Sequence, residues 1–330
     1  MTNRSKPTVS VEVVVLARSG LGMKLLVARR AYLPYAGELA LPGGFVEPFE
    51  LPLHAALREL ERETGLTLSG VDAVPLSLRA RKGRDPRGWT MSQPYLFWVD
   101  AEPTVRGSDP ASETFWVPLA QLPSLVFDHG AILCEALGRF WQIMPEGVPA
   151  LRNVRAFGVP EYLPAQPIFY GGTFNPWHKG HHNCVAMCPM PADVLVVPDT
   201  NPFKSGPAER CYWSLYRDLY RRVHDLGAHV YPGFCGREQA NPTARWLPYV
   251  NRDDKALLMG EDTMADMPNW MDAVKVVQAV SKIIAVPRRV PADQIRNACR
   301  WLEDNGCDIV RLGDHPYRDV SSTQIRGGRG

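Results

Sequence analysis

Residues 9–17, VSVEVVVLA, and 23–29, MKLLVAR, are β-branched and apolar runs joined by a Gly-containing turn, a pattern that predicts a β-hairpin near the start of the chain. The period then changes. Between Pro52 and Glu63, Leu53, Ala56, Leu57 and Leu60 recur at i, i+3, i+4 and i+7, and Gly65 stands where a helix would stop. Segments 74–80 and 94–100 read as further strands. From Asp128 to Trp141, Ile132, Leu133, Ala136, Leu137, Phe140 and Trp141 repeat with helical spacing and close a first domain over 1–147. Pro145, Gly147, Pro149, Pro160 and Pro164 then punctuate the chain and mark 148–165 as a linker.

From 166 to 330 short apolar runs alternate with amphipathic ones. IFYG, DVLVVP, AHVYP, KALLMG, SKIIAVP and CDIVRL read as strands, while GHHNCVAM, AERCYWSLYRDLYRRVHDLG, NWMDAVKVVQAV and ADQIRNACRWLEDNG read as helices. Such alternation predicts a doubly wound parallel sheet with ligands outside the carboxyl ends of its strands. The chain is therefore α/β in class, and its 330 residues suit two domains.

Composition narrows the setting. Apolar residues make up 45% and charged residues 22%, as in ordinary globular proteins, and no apolar run approaches the ~20 residues of a membrane span. The opening MTNRSKPTVS carries no apolar stretch of the secretory kind, and seven scattered cysteines without a CxxC pair predict reduced thiols. The expectation is a soluble, cytoplasmic protein with no membrane partner. A net charge of +2 gives no footprint for nucleic acid.

Residues 44–66 hold the first candidate chemistry. Glu50 is followed after seven residues by Arg58-Glu59-Leu60, and then by Glu63 and Gly65-Leu66. Glu59 and Glu63, at i and i+4, share a helix face, and such paired carboxylates suit Mg²⁺, which takes oxygen ligands and substrate phosphates. A plain surface helix with i, i+4 charges is the alternative. With the Pro42-Gly43-Gly44 turn before it, the segment resembles the Nudix box, and the likeness extends over about 9–142 to the ADP-ribose pyrophosphatase branch and its regulatory relatives. Matching segments are RRAYLPYAGELALPGGFVEP, GRDPRGW and ETFWVPLAQLPSLVFDHGAIL.

The resemblance implies an α/β/α sandwich around a mixed sheet. It implies Mg²⁺, or Mn²⁺ in its place, on Glu59, Glu63 and a backbone carbonyl at Gly43, with Arg58 orienting a carboxylate, and hydrolysis of ADP-ribose to AMP and ribose 5-phosphate. One position departs: Arg62 stands where the family has a second glutamate beside Glu63, so a cation replaces a carboxylate. Arg79, Arg81, Lys82, Arg84 and Arg87 form a basic run that is either a solvated loop or a contact for substrate phosphates. Arg84 and Arg87 are the candidates for ADP-ribose, together with Glu113 by its place in the family.

Residues 168–182, IFYGGTFNPWHKGHH, join a strand to a helix through two glycines. Gly171 and Gly172 let backbone approach a ligand closely, and a helix N-terminus favours anions. His178 and His181 could donate hydrogen bonds to phosphate oxygens as they gain charge. Satisfied surface histidines, or zinc on His181, His182, Cys184 and Cys188, are the alternatives, although ligands crowded on one helix wrap a tetrahedral ion poorly.

The segment resembles the HxGH signature of a nucleotidyltransferase superfamily with a Rossmann-like sheet. GGTFNP, which contains Gly171, Gly172, Thr173 and Phe174, resembles its nicotinamide or nicotinate mononucleotide adenylyltransferase branch. LLMGEDTMADMPNW, IIAVPRR and VSSTQIRGG come after it in the family's order and extend the likeness over about 166–330. The resemblance implies Asp262, Trp270, Arg288 and Arg289 on the mononucleotide, Trp270 by stacking on its ring. Gly171, Gly172, Thr173, Phe174, His178, His181, Lys204, Ser321, Ser322, Thr323 and Arg326 would hold the ATP phosphates, with Mg²⁺ bridging them. In-line attack of the mononucleotide phosphate on the α-phosphorus of ATP would give NAD or its deamido form and pyrophosphate. Asn175 departs from the more usual Asp, and NPTARW stands where the family has a Ser-Tyr-Thr run, so the choice of ring stays open.

Joined, the two resemblances imply a bifunctional enzyme of NAD metabolism. The alternative is an adenylyltransferase whose Nudix domain senses ADP-ribose as a regulatory module.

Overall fold

A computed structural model of the chain describes residues 6–19, 22–107, 113–139, 164–174, 176–199, 212–236, 241–320 and 325. These fall into two compact units, the first taking in 6–139 with 212–215 and the second 164–199 and 216–320.

The first unit contains β1 (Thr8–Ser19), β2 (Gly22–Arg29), β3 (Leu39–Ala40), β4 (Gly43–Phe45), α1 (Pro52–Thr64), β5 (Val74–Pro75), β6 (Thr90–Ser92), β7 (Tyr95–Val99), β8 (Glu113–Pro118) and α2 (His129–Gly138). Its sheet is mixed: β1 runs antiparallel to β2 and β4 and parallel to β6 and β7, while β2 also pairs with β3 and β8. The predicted hairpin is β1–β2, with Leu16 opposite Leu25.

Because strand side chains alternate, Val11, Val13 and Val15 share one face of β1, and α1 packs Ala55, Ala56 and Leu60 onto it in a buried cluster with Phe97. Leu53 and Leu57, at the margin of the helix stripe, are only partly buried. The predicted strand over 74–80 is reduced to Val74–Pro75 and an isolated bridge between Arg79 and Ser92. Pro75 has no N–H to extend a ladder.

The second unit contains β9 (Ile168–Gly172), α3 (Lys179–Ala186), β10 (Val194–Pro198), α4 (Tyr212–His224, of which 216–224 belong to this unit), β11 (His229–Val230), β12 (Ala256–Gly260), α5 (Glu261–Asp266), α6 (Ala273–Val277), β13 (Lys282–Val286), α7 (Ala292–Asp304) and β14 (Asp308–Arg311). Its strands are all parallel in the order β11-β10-β9-β12-β13-β14. Strands β10 and β12 are buried along their length, as expected for a sheet covered on both faces. Strand order reverses between β9 and β12, and the crevice at such a reversal is where open α/β sheets bind ligands.

The helix expected over NWMDAVKVVQAV is shorter than its pattern. A 3₁₀ turn occupies Met267–Asn269, Asp272 takes a left-handed φ of 50°, and α-helix runs only from Ala273 to Val277. Pro268 suits the start of a turn, and Asp tolerates positive φ before a helix. No helix among the described residues is long and apolar enough to cross a membrane.

Helix α1 ends as its sequence predicts. Gly65 adopts φ 73° and donates its N–H to the Glu61 carbonyl, and an added Cβ would lie 2.6 Å from the Arg106 carbonyl oxygen. Gly65→Ala should therefore lower unfolding stability by about 1–2 kcal/mol for the left-handed backbone alone, with the Arg106 contact adding to it. Denaturant unfolding checks this, and an unchanged midpoint would exclude the left-handed cap.

Candidate functional sites

In the first unit the site forms where α1 passes beneath the β1–β4 ladder, in which Gly43 and Gly44 lie opposite Glu12 and Val11. Gly44 lets backbone reach a carboxylate: an added Cβ would lie 2.5 Å from the carboxyl carbon of Glu59. Glu59 is buried, and Glu63 accepts the Gly43 N–H at 3.2 Å. Arg58 grips Glu50 with Nε and Nη2, each at 2.8 Å, and also bonds the Phe45 carbonyl and Glu59. The bidentate Arg58 contact, helped by the Glu47 N–H, pulls the Glu50 carboxyl down to about 2.

Arg62 lies across both candidate metal ligands. Its Nε and Nη2 donate to Glu59 Oε2 at 2.9 and 2.6 Å, and Nη2 reaches Glu63 Oε1 at 3.3 Å. Nudix hydrolases generally use divalent metals. Here the donor set does not fit one: a cation already bridges the two carboxylates, and among the described residues no group of three His, Cys, Asp or Glu is placed to hold a metal ion.

Beside this helix a cavity of about 100 Å³ is lined by Glu12, Arg30, Gly43, Arg84, Arg87 and Phe127, among others. Arg84 is buried, with Nε and Nη2 on Asp128 at 3.0 and 2.8 Å and Nη2 3.5 Å from Glu12. Arg87 pairs with Asp85 and lies over the rings of Phe45 and Phe127, at 5.1 and 5.7 Å. Burial raises Glu12 to about 7 against the opposing pull of Arg84, and burial lowers His129 to about 3, so that its Nδ1 accepts the Leu41 N–H.

The basic run is thus not a uniform solvated loop. Arg79 is buried on Glu135 at 2.6 Å, Arg84 is committed to Asp128, and Arg81 and Lys82 are exposed. Glu113 pairs with Arg29 on an exposed edge, outside the cavity lining. Glu12, Asp128 and His129 were missed from sequence. The signal for Glu12 was a charged residue inside an apolar strand.

In the second unit β9 delivers the chain to α3 at the sheet reversal. His178 caps α3: its Nδ1 accepts the N–H groups of Gly180 and His181, at 3.1 and 3.4 Å. A ring that accepts at Nδ1 carries its proton on Nε2, so the cap fixes His178 as an Nε2–H donor. Burial, then the nearby Arg288 charge, lower it to about 4. His181 stacks on His178 with centroids 3.7 Å apart. Phe174, expected on phosphate, has instead a left-handed φ of 45° and a buried ring against Tyr170, Trp177 and His181. It wedges the loop and backs His181. Gly171 is open, whereas a Cβ on Gly172 would meet the Phe174 ring at 3.0 Å, and Thr173 is half-buried between them and Phe174.

Arg288 is drawn into the same place. Its Nη1 donates to the carbonyls of Tyr317 and Val320 at 3.1 and 3.0 Å, its Nε lies 4.0 Å from Asp262, and it passes close to Gly180 and Gly260. Glu261, buried and missed from sequence, accepts the Arg288 N–H at 3.2 Å and pairs with Arg311 at 2.5 Å. Arg289 is exposed and pairs with Asp319 at 2.7 Å. With Asp262, Asp266, Asn269 and Trp301 it borders a cavity of about 710 Å³. Trp270 is half-buried and not part of that lining.

Lys204, Ser321, Ser322, Thr323 and Arg326 lie outside the described residues. The zinc alternative fails: Cys184 and Cys188 are buried and His182 is exposed.

Two units with these sites define the class. The chain carries a Nudix domain over residues 6–135 and belongs to the cytidylyltransferase-like family through residues 169–328. It is similar to a probable nicotinate-nucleotide adenylyltransferase of Chlorobium phaeobacteroides, 30% identical over 173 residues, 48% of this chain and 83% of the relative. It is similar to an ADP-ribose pyrophosphatase of Methanocaldococcus jannaschii, 38% identical over 115 residues, 33% of this chain and 63% of the relative. An ADPR responsive transcriptional repressor of Acinetobacter baylyi matches at 28% over 137 residues, 40% of this chain and 54% of the repressor. The chain thus spans less than two thirds of the pyrophosphatase and of the repressor.

The His178 cap makes a pH prediction. Its folded value, near 4, lies below the ordinary 6.5. Protons therefore bind the unfolded state first, and the cap's stabilisation, full above 6.5, falls as pH drops towards 4. Imidazole NMR should show a neutral Nε2–H ring at pH 7 that titrates near 4; titration near 6.5 would dissolve the cap.

Proposed function

We propose that the second unit transfers AMP from ATP to a pyridine mononucleotide, giving NAD or deamido-NAD and pyrophosphate. The observation that carries this reading is the neutral His178 cap, stacked on His181 at the N-terminus of α3, with Arg288 and Asp262 brought beside it at the sheet reversal. Helix N–H groups and Nε2–H donors suit phosphate oxygens that gain charge as pyrophosphate leaves. ATP enters as its Mg²⁺ complex. The likeness to a nicotinate-nucleotide adenylyltransferase over most of that relative's length supports the same assignment.

For the first unit we read ADP-ribose as the ligand. Arg87, lying over Phe45 and Phe127 at the mouth of a cavity rimmed by Gly43 and Gly44, suits a nucleoside diphosphate. Hydrolysis to AMP and ribose 5-phosphate is what the Nudix resemblance implies, but it calls for metal ions on carboxylates that a guanidinium already bridges. That observation favours a ligand-binding Nudix unit joined to an adenylyltransferase.

Full-length protein incubated with ATP, Mg²⁺ and each mononucleotide should form the dinucleotide and pyrophosphate. His181→Ala should cut turnover at least ~100-fold through loss of a charge-stabilising donor, and wild-type rates in that variant would remove His181 from the mechanism. Trp270→Ala should weaken the mononucleotide by about 1–3 kcal/mol, the worth of a stacked face, and leave ATP nearly unchanged. Equal losses for both ligands would make Trp270 a packing residue.

A further inference from the structure

Electrostatics at α1 differ in kind from those of a metal-binding helix. Glu50, Glu59 and Glu63 carry three negative charges against the two positive charges of Arg58 and Arg62, and each carboxylate already receives at least one guanidinium. A glutamate at 62 would add a fourth carboxylate to this group and take away one of its two guanidinium groups, and such an excess of negative charge is what draws a divalent ion to oxygen ligands. Arg62 reduces that excess from within the chain, to three carboxylates against two guanidinium groups.

Geometry adds to charge. Arg62 sits on the same helix as its partners, at i+3 from Glu59 and adjacent to Glu63, so its guanidinium is tethered where a free ion would have to be recruited. Its side chain is 41% exposed, so the cation faces solvent as well as the carboxylates beneath it. Glu63, which it contacts, also accepts the Gly43 N–H, and Gly43 rims the cavity that holds Arg30 and Arg87. An anion entering that cavity meets the guanidinium groups of Arg30 and Arg87 beside the carboxylates of Glu12 and Asp85.

We propose that Arg62 is a resident cation standing where the Nudix fold recruits a divalent ion, so that the first unit binds a nucleoside diphosphate without metal and leaves its diphosphate bond intact. The ligand class rests on the ADP-ribose reading above; the placement of the cation does not. With no metal on Glu59 and Glu63, no bound water is activated for attack on phosphorus, and the guanidinium, which keeps its proton, offers no base in its place.

The test uses the full-length chain with two probes. Mn²⁺ binding without nucleotide is followed by electron paramagnetic resonance, and ADP-ribose binding by calorimetry with Mg²⁺ or with a chelator. Wild-type affinity for ADP-ribose should agree within about threefold between the two conditions, whereas Arg62→Glu should raise Mn²⁺ affinity by about tenfold or more and make ADP-ribose binding metal-dependent by a similar factor. Glu59→Gln added to Arg62→Glu should abolish the gained Mn²⁺ signal, which locates it. Arg62→Gln, neutral and the same length as the glutamate variant, should shift Mn²⁺ affinity in the same direction and serves if the glutamate variant fails to fold. Wild-type protein that binds Mn²⁺ as tightly as Arg62→Glu, or that loses ADP-ribose tenfold on chelation, overturns the proposal. Mn²⁺ behaviour as expected with no ADP-ribose heat in any condition supports the resident cation and overturns ADP-ribose as the ligand.

Discussion

A carboxylate taken out of water must be given a counter-charge, and guanidinium groups of this chain meet that requirement again and again. Glu59 lies under Gly44 with Arg58 and Arg62 upon it, Glu135 is closed by Arg79, Asp128 by Arg84, and Glu261 by Arg311. Removing one partner from a buried pair leaves a bare charge, which costs about 3–5 kcal/mol. These pairs therefore hold the loops around both sites in place. Arginine suits the task because its planar fork meets a carboxylate with two parallel bonds and stays charged when buried.

The same requirement explains what was legible from sequence and what was not. Elements were legible because burial imposes a period: the hairpin, α1, the six parallel strands and α7 lie where alternation and helical spacing put them. The Nudix box and HxGH segment were legible because their residues are close in the chain and share one turn or helix. Arg84 with Asp128, and Arg288 with the Tyr317 and Val320 carbonyls, were not. Each joins positions far apart in sequence, and no periodicity records which arginine closes on which distant acceptor. The basic run over 79–87 shows the limit: one composition yields buried pairs, a ring-stacked cation and, at Arg81 and Lys82, a solvated middle.

In the second unit, helix capping and the proposed site chemistry fall to the same ring. His178 satisfies helix N–H groups with Nδ1, and in doing so leaves Nε2–H for whatever sits at the crevice. Arg288 tightens the arrangement by taking the Tyr317 and Val320 carbonyls, and Glu261 holds the Arg288 backbone from below. Donors are thus set before any ligand arrives, which spares the cost of ordering them on binding.

The central place of β9 also sets the tempo of folding. Its partners on the two sides are β10 and β12, and Ile168 meets Ala256 only after the chain has travelled through all that lies between. The β1–β2 hairpin closes on itself within microseconds, as such hairpins do, whereas a parallel sheet built on distant partners waits for slow encounters. Until β12 docks, one side of β9 is an unpaired apolar edge, the kind of surface on which chains aggregate. The first unit faces the same wait, since β1 must find β7 and β2 must find β8 across comparable lengths of chain, so each unit carries an open strand edge until its remote partner arrives.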